Sequence, residues 1–232
     1  VTGMSYPGFY ATMAALSGHP ALKAVSPQAP ILDWFKGDDV HHNGAFMLMD
    51  LYSFSTYMFK EHNNPIEEDH GLESPIGENA YDWFLSKKTI PALTDALPAE
   101  LPFWNEVLEH PDYDDYWKER SLEQHLKDIK PAILVVGGAY DTDDCYGALN
   151  TYKLIRENSP STDLHFVYGP WSHGGWHEKD YAGLGQIDSW GGLSEHFMEN
   201  IEFPFFSYYL EGKGKKPEPV YAYSSGSDSW QT

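Results

Sequence analysis

Three residues of this chain have the types and the order needed for nucleophilic acyl transfer. Ser5 lies in "GMSYPG" (3–8), Asp141 closes "GGAYD" (137–141) and His173 sits in "YGPWSHGG" (168–175). A serine hydroxyl is a poor nucleophile at neutral pH. It needs a histidine to take its proton and an acid to orient that histidine. In α/β-hydrolases the serine occupies a strained strand-to-helix elbow flanked by glycines, and the triad follows in the order serine, acid, histidine. Ser5, Asp141 and His173 keep that order, although G-x-S-x-x-G departs by one residue from the usual G-x-S-x-G. As a pattern alone, each part has another reading. Asp141 could cap the helix that follows it, and His19, His41, His42, His165 and His177 are alternative bases.

For this chemistry the chain must carry the three side chains to one edge of a sheet. "SYPGFYATMAALSG" reads as a helix that starts at or just after Ser5 and stops near Gly18, and "ALKAVSPQAPI" as a short strand before a proline-broken loop. The continuous apolar run in "AILVVGGAYD", ending in small residues and an acid, is the pattern of a buried parallel strand. A helix follows in "DDCYGALNTYKLIRENS", with Asp143 and Asp144 near its N-terminus and Arg156 near its end, charges that suit the helix dipole. "TDLHFVYGPWSHGG" is a second strand and turn of the same kind. "LSEHFMENIEFPFFSYYLEG" is a last helix that Pro204 kinks or divides, and "PEPVYAYSSGSDSWQT" begins a new strand. This alternation predicts an α/β fold with a parallel sheet. Asp141 and His173 then fall at strand C-terminal ends, where open α/β sheets form their sites.

From about Asp33 to Asp128 the texture changes. Dense aromatics, as in "NGAFMLMDLYSFSTYMF", alternate with acidic loops such as "NNPIEEDHG" and "HPDYDDYW". Without period-2 strands, the segment reads as a mostly helical insertion whose apolar residues occur all round and are buried on several sides. A length of 232 residues suits one sizeable α/β domain with such an insertion, and 41% hydrophobic residues exclude a disordered chain. A net charge of −20 disfavours nucleic acid and anionic membrane partners and would weakly attract cationic substrates, solubility being its plainer role; the partner expected is a small-molecule substrate. No apolar run approaches the roughly 18–20 residues of a membrane span. Cys145 is the only cysteine, which excludes an intrachain disulfide. With no HExxH or paired-cysteine pattern, neither a metal nor another cofactor is expected. "DTDD" (141–144) resembles half of a calcium loop but lacks the glycine and the distant glutamate of an EF-hand. Homo-oligomerisation is left open, and a chain that starts at Val leaves any targeting segment open.

"GMSYPGFY", "GGAYDTDDCYGALNTY" and "YGPWSHGG", with "DWFKGDD" in the insertion, resemble the corresponding segments of the X-Pro dipeptidyl-peptidase and cocaine esterase superfamily. Within it, the likeness is greatest to α-amino-acid ester hydrolases and to proteins labelled glutaryl-7-ACA acylases. The resemblance implies an α/β-hydrolase fold with a helical cap, and a triad of Ser5, Asp141 and His173. The N–H of Tyr6 would be one oxyanion donor. The family's second donor, a tyrosine hydroxyl, lies upstream of the elbow, ahead of any residue in this chain. By the same resemblance, residues 1–30 and 129–216 belong to the hydrolase domain, 31–128 to the cap, and 217–232 to the start of a C-terminal jelly-roll domain. The chain then reads as a segment of a larger enzyme, silent by itself, of the exported (periplasmic or secreted) kind.

Amino-ester hydrolases of this family hold the substrate's α-ammonium group with three carboxylates, two just after the triad acid and one in the cap. The matching positions are Asp143, Asp144 and Asp39, with Asp143 standing where glutamate is commoner. A primary ammonium offers three donors, and converging carboxylates satisfy them with charge-assisted bonds. The activity implied is a serine hydrolase and acyltransferase on esters or amides of small α-amino acyl groups. An X-Pro dipeptidyl-peptidase and a general cocaine esterase-like hydrolase are the alternatives. Helix N-capping is the competing role for Asp143 and Asp144, and a solvated loop position for Asp39.

Overall fold

Four parallel strands end together at one sheet edge, and the triad candidates follow directly from their ends. The computed structural model describes residues 1–58, 74–179, 183–184, 187–188 and 191–232. Strand β1 (Thr2–Met4) pairs with β2 (Ala24–Gln28), β2 with β5 (Ala132–Gly138), and β5 with β6 (Leu164–Gly169), all parallel. The register is Met4 opposite Gln28, Gln28 opposite Val136, and Gly138 opposite Gly169. Parallel strands in register bring their C-terminal ends to one side, so Ser5, Asp141 and His173 emerge together although the sequence separates them widely.

All seven residues of β5 are buried, as its unbroken apolar run predicts. Its side chains alternate between two cores. Leu134 and Val136 pack with Trp171, Trp176, Phe197 and Phe205 on one face. Ile133 and Val135 pack with Ala11, Ala15, Leu122 and Ile155 on the other. Full burial of each such side chain contributes about 1.5–3 kcal/mol. Helix α1 (Tyr6–Leu16) buries Gly8, Ala11, Thr12 and Ala15, a face of small side chains that lets it lie close on the sheet.

Between β2 and β5 the chain forms a short hairpin, β3 (His41–His42) with β4 (Ala45–Phe46), and then helices α2 (Leu48–Met58), α3 (Ala80–Lys87), α4 (Ile90–Thr94), α5 (Pro102–Glu109) and α6 (Asp115–Arg120). These surround a core of their own, with Tyr52, Trp104 and Trp117 almost fully buried. The acidic loop "NNPIEEDHG" lies outside the described residues. After β5 come α7 (Cys145–Asn158), β6, the two-residue pair β7 (Gly183–Leu184) and β8 (Ile187–Asp188), and α8 (Leu193–Phe197). No helix among the described residues is long and apolar enough to cross a membrane.

The last helix is interrupted just before Pro204, one of the two outcomes expected of that proline. A π-helical turn, Met198–Glu202, joins α8 to α9 (Phe203–Glu211), and the Phe203 N–H bonds the Met198 carbonyl five residues back. Widening the turn just before Pro204 accommodates a residue that has no N–H to donate. The last described residues extend the main sheet. Strand β9 (Val220–Ser224) joins the main sheet parallel to β6, and β10 (Ser229–Gln231) folds back antiparallel to it. Tyr221, Tyr223 and Trp230 pack against the Trp171 core, an attachment that no local pattern in the sequence announces.

Candidate active site

Ser5 is held in a conformation that L-residues avoid, with φ 64° and ψ −127°. Such backbone costs about 1–3 kcal/mol and persists only where the surroundings over-determine it. Here the Ser5 N–H donates to the Gln28 carbonyl at 2.9 Å, and Phe9 N–H returns to the Ser5 carbonyl at 3.0 Å. The two glycines are steric requirements. A Cβ on Gly3 would stand 2.2 Å from the Pro7 carbonyl oxygen, and one on Gly8 would stand 2.5 Å from that of Gln28. The crossing of helix and strand thus requires glycine three residues after Ser5. The residue two after it is Pro7, in the first turn of α1, where a missing N–H goes unnoticed. This accounts for the unusual spacing. Tyr6 is the first residue of α1, where a backbone N–H has no partner four residues back.

Asp141 and His173 meet behind the elbow. His173 Nδ1 lies 3.0 Å from Asp141 Oδ2 and 3.2 Å from Oδ1. Asp141 Oδ1 also accepts the N–H groups of Asp143 (2.9 Å) and Asp144 (3.0 Å). Burial alone would raise the Asp141 carboxyl, but the His173 bond and charge, with these two N–H groups, bring it below the usual carboxylate range. Burial would lower His173; the Asp141 hydrogen bond and charge, then the charges of Asp143 and Asp39, outweigh it and raise the imidazole above its ordinary value. The two loops are tied directly, by Ala139 N–H to Gly169 O (2.8 Å) and Tyr140 N–H to Trp171 O (3.0 Å). Gly138 allows that crossing, since a Cβ there would stand 2.3 Å from the Trp171 oxygen. Among the alternative histidines, His165 is buried between the Glu218 carbonyl (2.7 Å) and the Tyr209 hydroxyl (2.9 Å), and His41 packs among Phe35, Phe46 and Trp117.

A cavity of about 330 Å³ is lined by Ser5, His173, Asp39 and Asp143, with Asp50, Leu51, Ser53 and Phe54 of α2 as its cap wall. Asp39 is half-buried at φ 53°, with its N–H on the Asp143 carbonyl at 3.3 Å. Burial, then the Asp143 charge, push its carboxyl up to about 7. Asp143 is half-buried and also raised, chiefly by burial. Asp144 is fully buried, and neither of its carboxylate oxygens has a hydrogen-bond partner among the described residues. Burial and the surrounding acids Asp39, Asp38, Asp141 and Asp143 drive it well above the usual range. It immediately precedes α7, yet its side chain does not cap that helix. Asp141, Asp143 and His173 bring one donor atom each within 4.8 Å, a spacing a cation could share, with Asp141 and His173 already paired to each other.

The residue that does serve the N-terminus of α7 is Asp38, which sequence reasoning passed over in favour of its neighbour. Its carboxylate, fully buried, accepts N–H groups from Leu32 (2.8 Å), Asp33 (3.0 Å) and Gly147 (2.7 Å). It ties the entry of the cap to α7 and so sets Asp39 beside Asp143. Asp33 plays a similar part, binding the Phe35 and Lys36 N–H groups and the Tyr113 hydroxyl of the cap. The Asp50 wall was missed as well, because α2 is set against Ser5 only by the packing of the cap.

Comparison with known proteins gives the family and the fold. Residues 1–175, which contain Ser5, Asp141 and His173, match the family described as X-Pro dipeptidyl-peptidase (S15 family). The chain is 27% identical over 177 residues to the cocaine esterase of Rhodococcus sp. (strain MB1 Bresler), covering 74% of this chain and 30% of that protein. An aminopeptidase from a marine sediment Thaumarchaeota archaeon superposes with a TM-score of 0.86 at 30% identity, over 99% of this chain and 38% of that one. An α-amino acid ester hydrolase superposes equally well, with a TM-score of 0.86 at 29% identity, over 99% and 37%. The chain thus spans about a third of the length of these relatives and has the α/β-hydrolase fold. The match takes in about three quarters of the chain, which belongs to the X-Pro dipeptidyl-peptidase (S15) family.

Proposed function

We propose that this chain carries the catalytic centre of a serine hydrolase that cleaves esters or amides of small acyl groups bearing a free α-ammonium. The observation that carries the reading is the shared cavity, in which Ser5 and His173 face Asp39 and Asp143, with Asp141 behind the histidine. His173 takes the Ser5 proton as the hydroxyl oxygen attacks the acyl carbon. The oxyanion is met by the Tyr6 N–H, and the protonated histidine then gives its proton to the departing alcohol or amine. Water, or an amine acceptor, repeats the cycle on the acyl-serine. Asp39 and Asp143 receive the ammonium, with Asp144 buried beside the triad candidates, 3.9 Å from His173 Nδ1. Bringing a cation into this cluster relieves the burial of like charges and draws the carboxyls back to their ionised forms. The names of two relatives of similar structure, an aminopeptidase and an α-amino acid ester hydrolase, support the choice.

The test compares phenylglycine methyl ester with its des-amino analogue, methyl phenylacetate. The amino ester is expected to be preferred about a hundredfold, the ratio that a charge-assisted contact of roughly 3 kcal/mol produces. Asp143→Asn is expected to erase most of the preference. Equal rates for the two esters would leave a general esterase with structural acids. Turnover of neither, with cleavage of an X-Pro dipeptide amide, would establish the dipeptidyl-peptidase alternative.

A further inference from the structure

Gln28 bonds to Ser5 and to the turn that follows His173. Its carbonyl oxygen holds the Ser5 N–H at 2.9 Å. Its side chain, 1% exposed, uses every arm: Oε1 accepts the Trp176 indole N–H at 2.8 Å, and Nε2 donates to Glu202 Oε1 at 2.6 Å and to Ser26 Oγ at 3.2 Å. Trp176 lies three residues beyond His173 in the turn Gly175–His177 and is fully buried. The other oxygen of Glu202 meets His177 Nε2 at 3.2 Å. A closed ring results: Gln28 to Trp176, along the chain to His177, across to Glu202 and back to Gln28.

The same turn is secured from two further sides. Gly174, at φ 78°, lies over the Met4 sulfur, which a Cβ there would approach to 3.0 Å, and Ser194 Oγ donates to the Gly175 carbonyl at 2.8 Å. Glu202 itself ends the π-helical turn before Pro204. Such turns recur in helices at functional sites, and here the wider turn hands a carboxylate to the buried end of β2. The strained elbow and the histidine turn come from distant parts of the chain, and Gln28 is bonded to both.

We propose that Gln28 and Glu202 are positioning residues, which through Trp176 and His177 fix the approach of the His173 imidazole to the Ser5 hydroxyl. Neither lines the cavity. The proposal rests on Ser5 and His173 as nucleophile and base, and not on the recognition of an ammonium group.

Its test uses Gln28→Met, Glu202→Ala and Glu202→Gln, read by the rate at which a fluorophosphonate labels Ser5 and by kcat and KM on a neutral aryl ester. Small displacements of reacting groups cost up to about a hundredfold in rate. Glu202→Ala and Gln28→Met are therefore expected to slow labelling and kcat by about 10–100-fold, with KM within about twofold. Glu202→Gln, which can still accept from Gln28 and donate to His177, is expected to recover the rate to within about threefold. Glu202→Ala decides the matter if Gln28→Met does not fold. Unchanged labelling in folded Glu202→Ala, or a loss confined to KM, would overturn the proposal. Absence of labelling in the unsubstituted protein would overturn the Ser5 assignment itself, before any variant is compared. Equal turnover of amino and des-amino esters would overturn only the ammonium reading and leave these rates interpretable.

Discussion

His173 Nδ1 lies 3.0 Å from Asp141 Oδ2, and in the proposed triad this contact sets which imidazole nitrogen is left to serve Ser5. With the Nδ1 proton committed to the carboxylate, Nε2 keeps its lone pair for the serine hydroxyl. The Asp143 and Asp144 N–H groups hold the carboxylate from its other side, so the acid is itself oriented by the start of α7.

Replacing Asp141 by Asn is therefore expected to misdirect the imidazole tautomer without emptying the site. Loss of about 10³–10⁴ in kcat is expected on a neutral ester, with a cooperative thermal transition retained. A loss below about tenfold would show that His173 is oriented by other means.

The pH profile follows from the raised His173. If His173 is the base, as proposed, it must be neutral to act, so kcat/KM on a neutral ester is expected to rise with pH along a limb that lies above 6.5, the ordinary histidine value. Asp143 is one of the charges that hold His173 protonated. In Asp143→Asn that limb is expected to move to lower pH. A limb that stays in place would mean the acids do not act on the base.

Asp39 carries a cost in stability. Its folded-state value of about 7 stands above the ordinary 3.8, so the folded protein holds a proton that the unfolded chain releases at lower pH. Stability is then lost as pH rises from about 4 to about 7. Asp39→Asn is expected to stabilise the protein at pH 8 by up to about 2–3 kcal/mol, allowing for partial exposure. No gain is expected at pH 4. Thermal melts at the two pH values separate this from a general packing effect, which would be pH-independent.

Asp38→Ala would leave the Leu32, Asp33 and Gly147 N–H groups without their shared acceptor. Each buried unpaired donor costs about 1–3 kcal/mol. A fall of at least about 3 kcal/mol in urea unfolding is expected, against less than about 1 kcal/mol for an exposed acid such as Asp115 changed to Ala. Equal effects at the two positions would remove Asp38 from its structural role.

Some of this was open to reading along the chain. The apolar run of β5, the helix after Ser5 and the order Ser5, Asp141, His173 are local or sequential features, and a period or an order survives unfolding. The adjacent acids Asp38 and Asp39 show where such reading ends. One binds three backbone N–H groups, including that of Gly147 from 109 residues away, while the other lines the cavity, and nothing in "KGDD" distinguishes them. Asp144 stands where a helix cap is expected and instead buries a carboxylate with no hydrogen-bond partner among the described residues, 3.9 Å from His173 Nδ1. Gln28, an ordinary strand end in sequence, becomes the contact between elbow and histidine turn only because β1, β2 and the turn after β6 converge on it. Local propensity acts over a helical turn or a strand pair. The roles of Asp38, Asp144 and Gln28 were decided by strand register and by burial summed over distant contacts, which exist only once the chain has folded.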